Sequence, residues 1–152
     1  MSYLERLDPT LDLTGADLAP GMVARARSRH PTRQIHEAEL AALPFADGQF
    51  DGLLSWYSII HTPSTELPRV VHELARVLRA GGSLLVGFHA GTGERIARQA
   101  YGHEIELRVQ LHDPGEVRDV LSAGGFEVVA LLDRSARSLE KNAQGFLVAT
   151  RT

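Results

Sequence analysis

The stretch from Phe50 to Phe88 constrains this chain more than any other. Phe50 to Trp56, FDGLLSW, is a near-continuous apolar run of strand length. Glu66 to Leu78 then sets Leu67, Val70, Val71, Leu74 and Leu78 at i, i+3, i+4, i+7 and i+11, which is one face of a helix. Gly81-Gly82 supplies a C-terminal stop for that helix, and Ser83 to Phe88, SLLVGF, follows as another apolar strand. A strand, an amphipathic helix and a strand in series predict a parallel pair joined by a crossover. The unbroken apolar character of FDGLLSW predicts burial on both faces.

The same alternation runs through the rest of the chain. Ser2 to Leu7 reads as the last turns of a helix, ended by Asp8-Pro9. Leu11 to Ala16 reads as a strand, Pro20 to Arg29 as a helix with Pro at its first position, and Arg33 to Ala38 as a second strand. Glu39 to Gln49, with Pro44 and Asp47-Gly48, is loop and turn. Beyond SLLVGF, Gly91 to Gly93 make a turn before a helix predicted over Glu94 to Tyr101, and Ile105, Leu107, Val109 and Leu111 alternate as a half-buried extended segment. Asp113-Pro114-Gly115-Glu116 is a capping box that starts a helix to Ala123, stopped by Gly124-Gly125. Phe126 to Leu132 and Gly145 to Arg151 are the last two strands, expected as an antiparallel hairpin because the polar stretch between them lacks a helical pattern. Together these elements predict one α/β domain over residues 1–152, with a mostly parallel sheet and helices on both faces.

Composition narrows the function classes. The 152 residues are 43% apolar and carry a net charge of -3, with acids and bases interspersed, which argues against nucleic acid as a partner. Arg25, Arg27 and Arg29 read as the solvated face of a helix. The absence of cysteine excludes disulfides, thiolate metal sites and cysteine nucleophiles. No HExxH pair points to a metal, and no G-x-S-x-G elbow points to a hydrolase. No apolar run reaches the roughly 20 residues of a membrane span, and the opening MSYLERLDPT lacks a signal-peptide layout. A cytoplasmic location is expected, with no membrane partner.

Parallel sheets bind ligands beyond the C-terminal ends of their strands. Chemistry is therefore sought at Asp17, at Ala38-Glu39, from Ser55 to His61, and at His89. Asp17 either holds a ribose or caps the helix that follows. Glu39 is a second polar handle one β-α-β unit later, or an exposed loop acid. Trp56 and Tyr57 stack on a base, enclose a cation or cap the core, and His61 is a functional or a hydrogen-bonded structural histidine. Gly91-Thr92-Gly93-Glu94-Arg95-Ile96 imitates a dinucleotide loop, but its sixth position is Ile and no hydrophobic strand ending in an acid follows about 20 residues later.

The segments LTGADLAPGMVARAR (Leu13 to Arg27), ELAALPFADGQFDGLLSWYSIIH (Glu39 to His61) and ELPRVVHELARVLRAGGSLLVGF (Glu66 to Phe88) resemble, in order and spacing, the class I S-adenosylmethionine-dependent methyltransferases of the small-molecule "type 11" branch. The resemblance covers about Tyr3 to Arg151. It implies a Rossmann-like sheet with an antiparallel C-terminal hairpin, S-adenosylmethionine as cofactor and a small-molecule methyl acceptor. By position, it implies Asp17 on the ribose hydroxyls, Leu18 and Met22 flanking the adenine, and Glu39 with Leu40 near the adenine amino group. It places Ser55 toward the methionine portion, Trp56 among the cofactor-binding residues, and Tyr57 to His61 toward the acceptor, with His61 as general base and Tyr57 as an orienting group.

Members of that family begin with a strand, a G-x-G-x-G loop and a helix ahead of the strand that ends in the ribose acid. Of that segment this sequence has only the helical turns Ser2 to Leu7. The expectation is an N-terminally shortened methyltransferase, truncated at the first and central strand, as a misplaced start codon would produce. The strands at Leu11–Ala16 and Phe50–Trp56 would each lose a ladder partner, and such edges invite homodimerisation. The alternative is a non-catalytic remnant serving as a dimerising or binding module. A nicotinamide oxidoreductase using the same acid is a third reading that lacks the resemblance.

Overall fold

Apart from the consecutive strands Gln34–Glu37 and Phe50–Trp56, strands and helices alternate as far as the strand Leu78–Ala90, after which two strand pairs flank one helix. The computed structural model describes residues 2–100 and 103–152, and the chain divides into two units, residues 1–44 and 45–152.

The first unit contains α1 (Ser2–Leu7), β1 (Thr14–Asp17), α2 (Pro20–Arg29) and β2 (Gln34–Glu37). β1 and β2 are parallel, in register from Thr14 opposite Gln34 to Asp17 opposite Glu37. Pro20 opens α2, where a missing N–H costs nothing, and Val23 and Ile35 are the unit's buried apolar side chains. Arg27 donates from Nε and Nη2 to the Ile35 carbonyl at 3.1 and 2.7 Å, tying α2 to β2, so the basic cluster is not wholly a solvated face. Glu5 pairs with Arg33 at 3.1 Å and lies 3.6 Å from His30, which holds α1. β1 begins at Thr14 rather than Leu11 because β2 offers only four partners, and it carries Asp17 as its last residue.

The second unit contains β3 (Phe50–Trp56), two single 3-10 turns at Ile59–His61 and Ser64–Glu66, α3 (Leu67–Val77), β4 (Leu78–Ala90), β5 (Glu94–Ala100), β6 (His103–Gln110), α4 (Pro114–Ala123), β7 (Phe126–Arg134) and β8 (Ala143–Arg151). Its main sheet runs β3-β4-β8-β7, with β3 and β4 parallel and β8 antiparallel to both neighbours. On one face, Leu84, Val86, Phe88, Leu147 and Ala149 are buried with Val70, Val71, Leu74 and Val77 of α3 and Val117 and Leu121 of α4. Gly124 permits this packing, since a Cβ there would stand 2.3 Å from Val71 Cγ1. Asp113 caps α4 by accepting from the Gly115 and Glu116 N–H groups at 2.8 and 3.0 Å, a contact worth about 1 kcal/mol.

Three expectations are corrected. Residues Glu94–Ala100 are strand β5, not helix; Tyr101 lies outside the described residues. The segment pairs antiparallel with β6, from Glu94 opposite Gln110 to Ala100 opposite His103, and that ladder overrides the helix preference of its Glu, Ala, Arg and Gln residues. β3 is an edge strand, so its apolar run is only partly covered: Leu54 is 45% and Trp56 52% exposed. Gly81-Gly82 does not stop α3, which ends at Val77 and passes straight into extended chain at Leu78. The two glycines sit in an irregularity of β4, between the pairs Phe50–Leu78 and Gly52–Ser83. Gly81 has φ +72°, and a Cβ on Gly82 would stand 2.8 Å from the Arg79 carbonyl oxygen.

Among the described residues β1 has one ladder partner, β2, and β3 has one, β4. That agrees with the expectation that each of these strands keeps an open edge.

Candidate functional site

In the first unit the parallel pair delivers its acids at the C-terminal strand ends. Asp17 is exposed, and its Oδ1 accepts from the Ala19 N–H at 2.8 Å. Ala19, not Asp17, is the N-cap of α2 and has no side-chain cap. The carboxylate therefore shapes the turn while its Oδ2 has no partner among the described residues. The Ala38 N–H donates to the Asp17 carbonyl at 3.0 Å, extending the pairing past β2. Glu39 is exposed two residues beyond the Asp17–Glu37 pair, in a local bridge with Ala42. Both acids thus stand at or just past the C-terminal end of the parallel pair. Leu18 and Met22 are 66% and 40% exposed, and Leu40 is half-buried. Apolar side chains left open beside two free carboxylates suit an aromatic base next to a sugar.

In the second unit the end of β3 meets the ends of β4 and β8. Ser55 is buried and its Oγ has no partner among the described residues. Trp56 stacks on Phe146 at 5.6 Å and lies over Gly87, where a Cβ would stand 3.0 Å from the indole ring. Tyr57 adopts φ +54°, a left-handed conformation that costs a tyrosine about 1–3 kcal/mol. Two bonds hold it there: its N–H donates to the Gly87 carbonyl at 2.8 Å, and its hydroxyl donates to Gln144 Oε1 at 2.5 Å. Burial, reinforced by Glu140, raises the phenol's pKa, so it stays a donor. The Tyr57 ring lies 5.0 Å from His89, whose imidazole burial keeps uncharged. His61 is exposed at the end of its 3-10 turn.

That turn is braced from below by His112, which is 1% exposed. Its Nε2 donates to the Ile59 carbonyl at 3.0 Å, which leaves Nδ1 to accept from the Ser64 hydroxyl at 3.4 Å. Burial lowers the pKa of His112, as it does for His89. In the unfolded chain these two imidazoles take up protons near pH 6.5, and in the folded chain only at lower pH. Stability from these groups is present in full above that value and is lost as pH falls below it. Urea midpoints should drop between pH 7 and pH 5, and His112→Gln should flatten part of the slope; a His112→Gln profile parallel to that of the parent would deny His112 this share.

Sequence reasoning placed Tyr57 and Trp56 at this strand end but missed the buried partners. In the sequence His89 is only a strand end. Gln144 stands opposite His89 in the β4–β8 ladder, a relation that exists only once the antiparallel register is known. His112 gave no signal beyond lying next to the capping Asp113.

The sequence profile of a family described as "Methyltransferase domain" matches residues 1–86, more than half of the chain. The chain belongs to that family. It is 36% identical over 124 residues to a Mycobacterium tuberculosis protein named "Probable S-adenosylmethionine-dependent methyltransferase", an alignment covering 76% of this chain and 44% of the relative. It is 37% identical over 87 residues to the demethylmenaquinone methyltransferase of Thermus thermophilus, covering 55% of this chain and 39% of that enzyme. Across the curated relatives it matches, the chain spans between 27% and 44% of their length. A crystal structure of a SAM-dependent methyltransferase from Methanosarcina mazei superposes with a TM-score of 0.82, covering 98% of this chain and 86% of that one at 17% identity. The fold is thus the Rossmann-like one of class I methyltransferases. Among the described residues no helix is long and apolar enough to cross a membrane.

Proposed function

We propose that this chain binds S-adenosylmethionine and serves methyl transfer to a small molecule. The observation that carries the reading is Asp17, an acid with a free oxygen at the end of β1, beside the exposed side chains of Leu18 and Met22. In this reading Asp17 accepts from the ribose hydroxyls, and Leu18 and Met22 cover the adenine. Glu39, with Leu40 beside it, accepts from the adenine amino group.

Bound there, S-adenosylmethionine supplies an electrophilic methyl group on its sulfonium. Transfer of that group needs alignment and, for some acceptors, removal of a proton. Ser55 and Trp56 are assigned to the methionine portion. Tyr57, kept protonated by burial and fixed by Gln144, orients the acceptor. His61, the exposed imidazole beyond it, takes the proton when the acceptor must lose one.

Calorimetric titration of the 152-residue chain with S-adenosylmethionine tests the reading. A micromolar Kd is the expected result, and no heat at millimolar ligand would refute it. The open edges of β1 and β3 favour a second reading, a binding module that associates with another copy of itself. Sedimentation showing a dimer together with absent S-adenosylmethionine binding would select it.

A further inference from the structure

Two polar atoms near the end of β4 are buried without a partner among the described residues: His89 Nδ1 and Arg95 Nε. Arg95 comes from β5, opposite Val109 of β6. Directly opposed residues of an antiparallel pair share a face, and Val109 is 3% exposed, so Arg95 stands on the covered side of the hairpin. β6 packs against the turn Ile59–His61, and Ala90 bridges to His112, which brings the hairpin's base beside His89. The guanidinium is close enough to help hold the imidazole uncharged.

Two acids of the described residues, Glu94 and Glu140, are engaged elsewhere. Glu94 takes Arg108 and Gln110, each at 3.3 Å. Glu140 binds Arg134 through both oxygens, at 2.6 and 2.7 Å, and also accepts the Arg137 N–H at 2.8 Å. Arg95 makes no ion pair among the described residues. A half-buried guanidinium with an unmatched donor favours an anion strongly, because water no longer solvates that donor. Gln144 stands opposite His89 in the β4–β8 ladder, and Nδ1 of the imidazole is left over.

We propose that Arg95 and His89 form a carboxylate site at the C-terminal end of β4, and that the methyl acceptor is a small carboxylic acid bound there as its anion. The carboxylate accepts from Arg95 Nε–H and from the His89 Nδ1–H tautomer, which satisfies both orphaned atoms and neutralises the guanidinium. Tyr57 lies against the same imidazole, so the anchored acid sits beside the group assigned to orient it. This inference rests on the methyltransferase reading for the word acceptor, though the site itself does not.

The test uses the full chain, isotopically labelled, with acetate as probe and acetamide as its neutral isostere, at fixed ionic strength. Acetate should shift the His89 ring and Arg95 Nε–H resonances saturably, and acetamide should not. Arg95→Gln should weaken acetate binding at least tenfold, while Arg95→Lys keeps the charge and part of the affinity. Equal responses to acetate and acetamide, or unchanged acetate affinity in Arg95→Gln, would overturn the site. Should Arg95→Gln fail to fold, the acetate and acetamide contrast in the parent decides. A parallel S-adenosylmethionine titration separates the failures: acetate binding without it removes only the methyltransferase reading, and the converse removes only this site.

Discussion

Gly145→Ala should lower the stability of the chain by about 2–3 kcal/mol. Gly145 faces Phe88 across the β4–β8 ladder, and a Cβ there would stand 2.6 Å from Cε2 and Cζ of that ring. Phe88 is wholly buried, so the ring cannot swing into solvent to make room. Either the ring leaves its rotamer or the two central strands move apart, and both strain the best-packed part of the sheet. A urea titration reads the loss as a lower midpoint at unchanged slope. Phe88→Leu vacates the obstructing ring edge at the cost of a cavity. The double variant should therefore be more stable than the sum of the two single losses, because the collision exists only when both large groups are present. Strict additivity would show that the ring is not the obstacle.

Asp17→Asn should weaken S-adenosylmethionine binding roughly tenfold to hundredfold. Hydrogen bonds to a charged group contribute about 1.5–3 kcal/mol, and each 1.4 kcal/mol is a decade in Kd. Asparagine keeps an oxygen for the Ala19 N–H, so the turn into α2 survives and the fold is not in question. What it removes is the charge and the second acceptor oxygen assigned to the ribose. Calorimetry on parent and variant measures the difference, with the urea midpoint as control. An unchanged Kd at unchanged stability would take the ribose away from Asp17.

The parts of the fold legible in the sequence are those whose pattern is local and dense. α3 was visible because Leu67, Val70, Val71 and Leu74 form one apolar face, and α4 because Asp113 and Pro114 mark its start. β5 does not show in the sequence because residues 94–100 favour helix, and only pairing with β6 decides for strand. The exposure of β3 could not be read from FDGLLSW, since burial depends on how many neighbours a strand has rather than on what it is made of. The candidate site divides the same way. Asp17 and Glu39 are single residues at strand ends, and a strand-end rule finds them. His89, Gln144 and Arg95 come together through an antiparallel register and a hairpin, and neither leaves a mark in spacing along the chain.

The strand order has a consequence for how the protein is made. β8, the last strand in sequence, is interior: it supplies one full edge of β4 and carries β7 on its other side. The second unit cannot close its core while the ribosome still holds residues 143–151. Until then β4 presents Leu84, Val86 and Phe88 on a strand with an open edge, the state most prone to association with other nascent chains. The first unit has no such wait, because β1, α2 and β2 are consecutive and pair as they emerge. Synthesis thus completes the β-α-β piece of the first unit well before the sheet of the second can close.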